Sequence, residues 1–238
     1  MDVVAMHIAN GIINGPVSAI FLVVAVAGLA VCVRRAKADL DDRLAPMAGL
    51  VAAFIFAVQM LNFPVGAGTS GHLMGGALAA VLVGPWTAIL CLSVVLVVQS
   101  LLFADGGITA LGTNITLMGL STVAVGWLVF KLLQAVLPKR LSLVPLQAGI
   151  AAFVSVPVAA AVFVLLYAVG GTADIAFDTL MTTMLGVHTL IGIGEGVITF
   201  LAVGAIIAVR PDLVYGARGL LAQRELEIKP SSTTGASA

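Results

Sequence analysis

Charge is what this sequence has least of. Of its 238 residues only 9% are Asp, Glu, Lys or Arg, eleven of each sign, and the formal net charge is zero. Bases so few and so evenly matched by acids do not form the electrostatic footprint of a nucleic-acid-binding domain. Cysteine is nearly missing too. Cys32 and Cys91 each sit inside an apolar run, where a small hydrophobe is the simplest reading, and no disulfide framework or thiolate metal site follows. No Gly-x-x-x-x-Gly-Lys-Ser/Thr occurs, which excludes a P-loop ATPase. The run Gly192-Ile-Gly-Glu-Gly196 lacks the dinucleotide-binding spacing, and no His-Glu-x-x-His is present.

What the chain has instead is hydrocarbon: 61% hydrophobic residues and a mean hydropathy of +1.19. A soluble domain of this size cannot hide that much apolar surface, so most of it is expected to face lipid. Apolar runs at 16–33, 46–61, 72–83, 86–103, 108–137, 144–169 and 187–209 predict an all-α, polytopic helical bundle of about seven spans. The run at 72–83 is shorter than a full crossing. Pro157 falls inside a span, as membrane helices tolerate when neighbours satisfy the freed carbonyl. Met1 to Asn14 has no basic n-region, so the first span is expected to be retained. Residues 1–209 are expected to form the membrane bundle, and 210–238, charged and then Ser/Thr/Gly-rich, a cytoplasmic tail without fixed structure.

The bases fix an orientation. Arg34, Arg35, Lys37 and Arg43 follow the first span; Lys131, Lys139 and Arg140 close the fifth; Arg210, Arg218, Arg224 and Lys229 follow the last. With seven spans all of them fall on one side, which the positive-inside rule makes cytoplasmic, so the N-terminus is expected outside and the C-terminus inside. The opposite face then receives His7, His72 and His188, every histidine of the chain.

Asn62 to Gly76 is the stretch around which the rest is organised: a glycine-loaded loop between two spans that delivers His72 to the mouth of an apolar helix. A lone histidine at a helix end is usually a cap or an interface residue. Three on one face of so apolar a protein point to a shared transition-metal site. At Met6-His7, a chain that started at Met6 could wrap a late transition ion with its amine, the His7 amide and the His7 imidazole, leaving a fourth position for His72. With Met1 as the first residue, His7 is at most a monodentate ligand.

Other polar positions read less sharply. Asn114, with Thr113 and Thr116 beside it, is expected to face the bundle, either orienting a ligand or binding helix to helix. Asp105 and Thr109 are expected to cap the fifth span. Glu195 is the one acid well inside a span and shares a helix face with His188, two turns away. It serves either a proton or cation path or a structural hydrogen bond. The pairs Gly71/Gly75 and Gly192/Gly196 have the spacing of close helix contacts.

Four blocks together resemble the CbiM/NikM family, the substrate-capturing membrane component of energy-coupling-factor uptake systems for cobalt and nickel. They are Met6-His7-Ile8 with Asn10-Gly11; Asn62-Phe-Pro through Thr69-Ser70-Gly-His72-Leu-Met-Gly-Gly76; Asp105-Gly-Gly through Gly112-Thr-Asn114 and Met118-Gly119; and Gly186-Val-His188 through Glu195. The resemblance implies that Met6, His7 and His72 hold the ion, and that Asn10, Ser70, Asn114, His188 and Glu195 line or support the pocket. Five residues precede the Met-His pair here, and Asn10 stands where the family usually has an acid.

The resemblance further implies a non-enzymatic subunit in the cytoplasmic membrane of a prokaryote, with no catalytic cofactor. Its bound substrate is Co2+ for cobalamin synthesis or, in the nearest alternative, Ni2+ as a nickel-specific permease. Its implied partners are a coupling transmembrane protein, a pair of ABC ATPases and a small CbiN-like membrane subunit, along with membrane lipid. Two readings from other classes are an intramembrane metal-dependent hydrolase using His72, His188 and Glu195, and a proton-driven secondary carrier working through Glu195.

Overall fold

The computed structural model describes residues 7–39, 44–66 and 69–228. Helices dominate: α1 (Gly15–Asp39), α2 (Leu44–Gln59), α3 (Gly76–Val83), α4 (Pro85–Leu102), α5 (Leu111–Asn114), α6 (Thr122–Val136), α7 (Val144–Gly170), α8 (Phe177–Val209) and α9 (Arg218–Ile228). Between α5 and α6 a π-helical segment, Ile115–Ser121, carries the axis onward, so Leu111–Val136 is one rod. Among the described residues five rods are long and apolar enough to cross a membrane, and α2, at 16 residues, is shorter.

The expected runs and the observed helices differ in four places. Asn62 to His72 is not an open loop but an antiparallel hairpin, β1 (Asn62–Gly66) and β2 (Thr69–His72), with Asn62 opposite His72 and a bulge after Pro64. The third run becomes a helix only at Gly76, since the strand holds Gly71 and His72; Gly71 and Gly75 therefore share no helix face. At about 1.5 Å per residue, α3 covers about 12 Å, well under the ~30 Å of a bilayer core. The last helix starts at Phe177 rather than 187, taking in Asp178 as its first-turn acid. Finally, the stretch from Arg210, read as a tail, carries 3-10 turns at Pro211–Leu213 and Tyr215–Ala217 and then α9, with Val214 and Ala217 fully buried.

Hydropathy alone does not separate α1 from α3, yet their surroundings are opposite. Along α1, Val23 and Val26 are 69% and 59% exposed, a surface suited to lipid or to a neighbouring membrane protein. Every residue of α3 is buried, ringed by α2, α4, α6, α7 and α8. Small residues allow that enclosure. In the α7–α8 pair, a Cβ at Gly192 would come within 2.9 Å of the Phe153 carbonyl, and one at Gly196 within 3.0 Å of the Gly149 carbonyl. Phe153 is four residues before Pro157, so the carbonyl that proline leaves without its helical partner is covered by a glycine of α8.

Contacts sort the helix termini into two ends. At one end Ile13 bridges Gly171, and the Asn14 amide donates to Gly170 O at 2.7 Å. At the other, Gly84, between α3 and α4, packs on the Tyr215 ring, and Trp127 lies 5.8 Å from it.

Candidate metal centre

The first end gathers the polar residues. Asn14 caps α1 through a 3.0 Å bond from the Val17 amide, and the turn-containing segment before it is sewn to distant loops. The Gly107 amide donates to Ile8 O at 2.9 Å, and Thr172 Oγ1 donates to Gly11 O at 2.6 Å. Asn114 clamps the Ile8 peptide on both sides: its Oδ1 accepts from the Ile8 amide at 3.1 Å and its Nδ2 donates to the Ile8 carbonyl at 3.2 Å. Asn10 Oδ1 accepts from both the amide and the hydroxyl of Thr109, at 3.0 and 2.7 Å. Thr109 thus holds the N-terminal segment and caps no helix.

These bonds present His7. Its Nδ1 donates to Asp105 Oδ1 at 3.0 Å, which leaves Nε2 with the lone pair, and that Nε2 is buried with no hydrogen-bond partner. An imidazole held by a carboxylate through one nitrogen, with the other left to face a ligand, is the arrangement found behind metal-ligating histidines. Asp105, expected as a cap, is instead the group that orients His7. The sequence signal was there, because Asp105-Gly-Gly opens one of the four family-like blocks, but an Asp before two glycines also reads as a turn.

His72 faces His7 with ring centroids 4.7 Å apart and planes tilted by 47°. Its Nδ1 donates to Leu73 O at 2.8 Å, so its Nε2 also carries the lone pair. That lone pair is what a cation can take.

Glu195 reaches this corner from α8. Its Oε2 accepts from the Met74 amide at 2.6 Å and its Oε1 from the Gly75 amide at 2.9 Å. Gln59 adds a bond from its Nε2 to Met74 O at 2.9 Å. The carboxylate anchors the turn between His72 and α3, which matches the structural-bond reading of Glu195. His188, expected at the start of a span, instead lies three turns into α8, buried, with Nδ1 donating to Met184 O at 2.8 Å.

Among the described residues, His7 and His72 are the imidazoles in ring contact. Among the described residues no group of three or more His, Cys, Asp or Glu side chains could hold a metal. The hydrolase reading needed His72, His188 and Glu195 as one ligand set; they are not gathered into one, and both Glu195 oxygens are engaged by backbone N–H groups. Met6 and the Ser70 side chain, both expected in the pocket, lie outside the described residues.

Fold and site together define a class: a helical, multi-pass membrane protein in which two imidazoles face each other among buried polar groups at one end of the bundle. Comparison with known proteins narrows it. The family model CbiM, "Cobalt uptake substrate-specific transmembrane region", matches residues 7–213. A Haloquadratum walsbyi protein named provisionally as a metal transport protein is 37% identical over 212 residues, 88% of this chain and 94% of its own. The cobalt transport protein CbiM of Geobacter sulfurreducens is 37% identical over 132 residues, 53% of this chain and 38% of its own. A crystal structure of a transition metal transporter superposes with a TM-score of 0.79 at 27% identity, covering 94% of this chain and all of that one. The chain belongs to the CbiM family. Its relatives are named as metal transport proteins and not as enzymes.

Proposed function

We propose that this chain is the substrate-binding membrane subunit of an energy-coupling-factor importer for Co2+, with Ni2+ as the alternative cargo. The observation that carries the reading is the buried, unpartnered Nε2 of His7 beside the His72 ring, 4.7 Å between centroids. With metal–nitrogen bonds of about 2.0 Å, each ring centroid lies about 3.2 Å from the ion, and two cis imidazoles then have centroids about 4.5–5 Å apart. The observed spacing fits that range.

His7 and His72 supply the side-chain ligands, while Asp105 and Asn114 aim the first and Glu195 the second. Bonded to Asp105 through Nδ1, His7 offers the ion Nε2, which cannot close a chelate ring with its own backbone nitrogen. This favours His7 as a monodentate ligand, with Met6 or solvent completing the shell. Late divalent ions share an affinity for such nitrogen ligands, so the site ranks cobalt and nickel close together.

The ion enters from the outer face, and the basic end lies in the cytoplasm under the positive-inside rule, in the bacterial or archaeal cytoplasmic membrane. A coupling transmembrane protein and a pair of ABC ATPases then drive release inward and serve cobalamin synthesis. Relatives named as fused NikMN proteins, such as that of Rhodobacter capsulatus, support a small CbiN-like subunit as a further partner. Residues 1–209 form the membrane module, with α3 and its hairpin counting as one of seven passages.

Intact-mass and metal analysis of the purified chain tests this directly. About one equivalent of cobalt or nickel that resists dialysis is expected, whatever the first residue proves to be. A chain that binds neither ion, with or without its partner subunits, contradicts the proposal.

A further inference from the structure

The two imidazoles of the metal centre are backed differently. Asp105 meets the His7 ring itself, Oδ1 to Nδ1, whereas His72 Nδ1 donates to the carbonyl of its own neighbour, Leu73, at 2.8 Å. That carbonyl belongs to the peptide group whose N–H is Met74's, and the Met74 amide donates to Glu195 Oε2 at 2.6 Å. Imidazole, peptide and carboxylate therefore stand in one chain of hydrogen bonds.

The next peptide repeats the pattern one step further from the ring. The Gly75 amide donates to Glu195 Oε1 at 2.9 Å, and the carbonyl of that same peptide, Met74 O, accepts from Gln59 Nε2 at 2.9 Å. One carboxylate thus holds two successive peptides, of which the first touches the His72 ring and the second a glutamine. His72, Gln59 and Glu195 are each at most 3% exposed, so water does little to screen these bonds.

A peptide group is conjugated, so negative charge placed at its N–H raises the electron density on its oxygen. Bonds linked in this way strengthen one another. A firmer bond on Nδ1–H fixes the tautomer of the ring and makes Nε2 a better donor to a cation, as a carboxylate directly on the ring does.

We propose that Glu195 is the carboxylate partner of His72, acting on the imidazole through the Leu73–Met74 peptide as Asp105 acts on His7 directly. Glu195 is then a positioning residue that also tunes the ligand, and Gln59 fixes the turn alone. What the relay does for an ion rests on the metal capture proposed above; the chain of hydrogen bonds does not.

NMR of the metal-free full chain carrying isotope-labelled histidine tests the relay. With three histidines in the sequence, each signal is assigned by replacing its residue. His72 is expected as the Nδ1–H tautomer, with that proton shifted downfield by its bond to Leu73 O. Glu195→Gln should move it upfield and leave the His188 signals in place. Gln59→Met removes the bond to Met74 O without entering the chain, and the His72 proton should move far less. Glu195→Asp keeps the charge and should recover part of the shift. In cobalt titrations the affinity should fall about tenfold for Glu195→Gln and about threefold for Gln59→Met.

An Nε2–H tautomer for His72 in the parent chain would overturn the proposal, and that measurement depends on no variant folding. So would a folded Glu195→Gln chain whose His72 proton stays where it was. Equal movement in Gln59→Met would reduce Glu195 to a clamp on the turn and overturn the relay too. A parent chain that shows the expected shifts but takes up neither cobalt nor nickel would keep the relay and refute metal capture instead.

Discussion

The two ends of this bundle are held together by different forces. At the histidine end, bonds join residues far apart in the chain: His7 to Asp105, Ile8 to Asn114, and Met74 and Gly75 to Glu195. At the basic end, contact is mostly shape: Gly84 against Tyr215, Gly216 against Phe130, and Val83, Val214 and Ala217 fully buried. Hydrogen bonds fix angles, whereas apolar packing fixes volume. A site that must present two lone pairs at one point needs the first kind. A surface that only closes a bundle manages with the second.

The comparison predicts that changes at the histidine end alter metal affinity, and that changes at the basic end alter stability alone. The largest effect is expected from His72→Ala, which removes one of two imidazoles and should weaken cobalt binding by at least about a hundredfold, roughly 3 kcal/mol, in a calorimetric titration. Asp105→Ala keeps both imidazoles but frees the His7 ring, and an affinity loss of about 10–100-fold is expected in the same titration.

Glu195→Gln removes the charge and one of two acceptors from the amides that open α3, and about a tenfold loss is expected because the His72 turn loosens. Transport assayed alongside separates two roles. A proton-driven carrier would lose transport completely with binding unchanged, whereas a positioning carboxylate loses some of each.

At the other end Gly84→Ala should leave affinity unmoved. Its φ of 82° and the Tyr215 ring 3.0 Å from a new Cβ should together cost roughly 1–3 kcal/mol of stability, read as a lowered melting temperature.

How much of this could be read from residues alone depended on whether the signal was local. Hydropathy located the rods, and the distribution of bases, counted over the expected spans, put the histidines on one face. The 4.7 Å between His7 and His72 brings two of those three rings together. What hydropathy cannot see is a partner a hundred residues away. Asp105 read as a helix cap because its neighbours are glycines, yet its partner is His7. Glu195 likewise accepts from Met74 and Gly75, partners more than a hundred residues away that hydropathy gives no sign of.

The polar stretch before residue 187 looked like a break. It continues as helix because α8 packs along α7, and the Thr182 and Thr189 hydroxyls are satisfied on carbonyls one turn back. Similarly, Arg210 onward looked like tail because its composition is charged. Val214 and Ala217 bury there because α3 and α6 offer an apolar seat that only the folded bundle creates.

The central claim is that two imidazoles, His7 and His72, hold one ion. X-ray absorption of the cobalt-loaded chain counts them directly. Two imidazole ligands are expected in the parent protein, with one remaining in any residual complex of His72→Ala. A cobalt spectrum without imidazole, or one that His72→Ala leaves unchanged, would contradict the account.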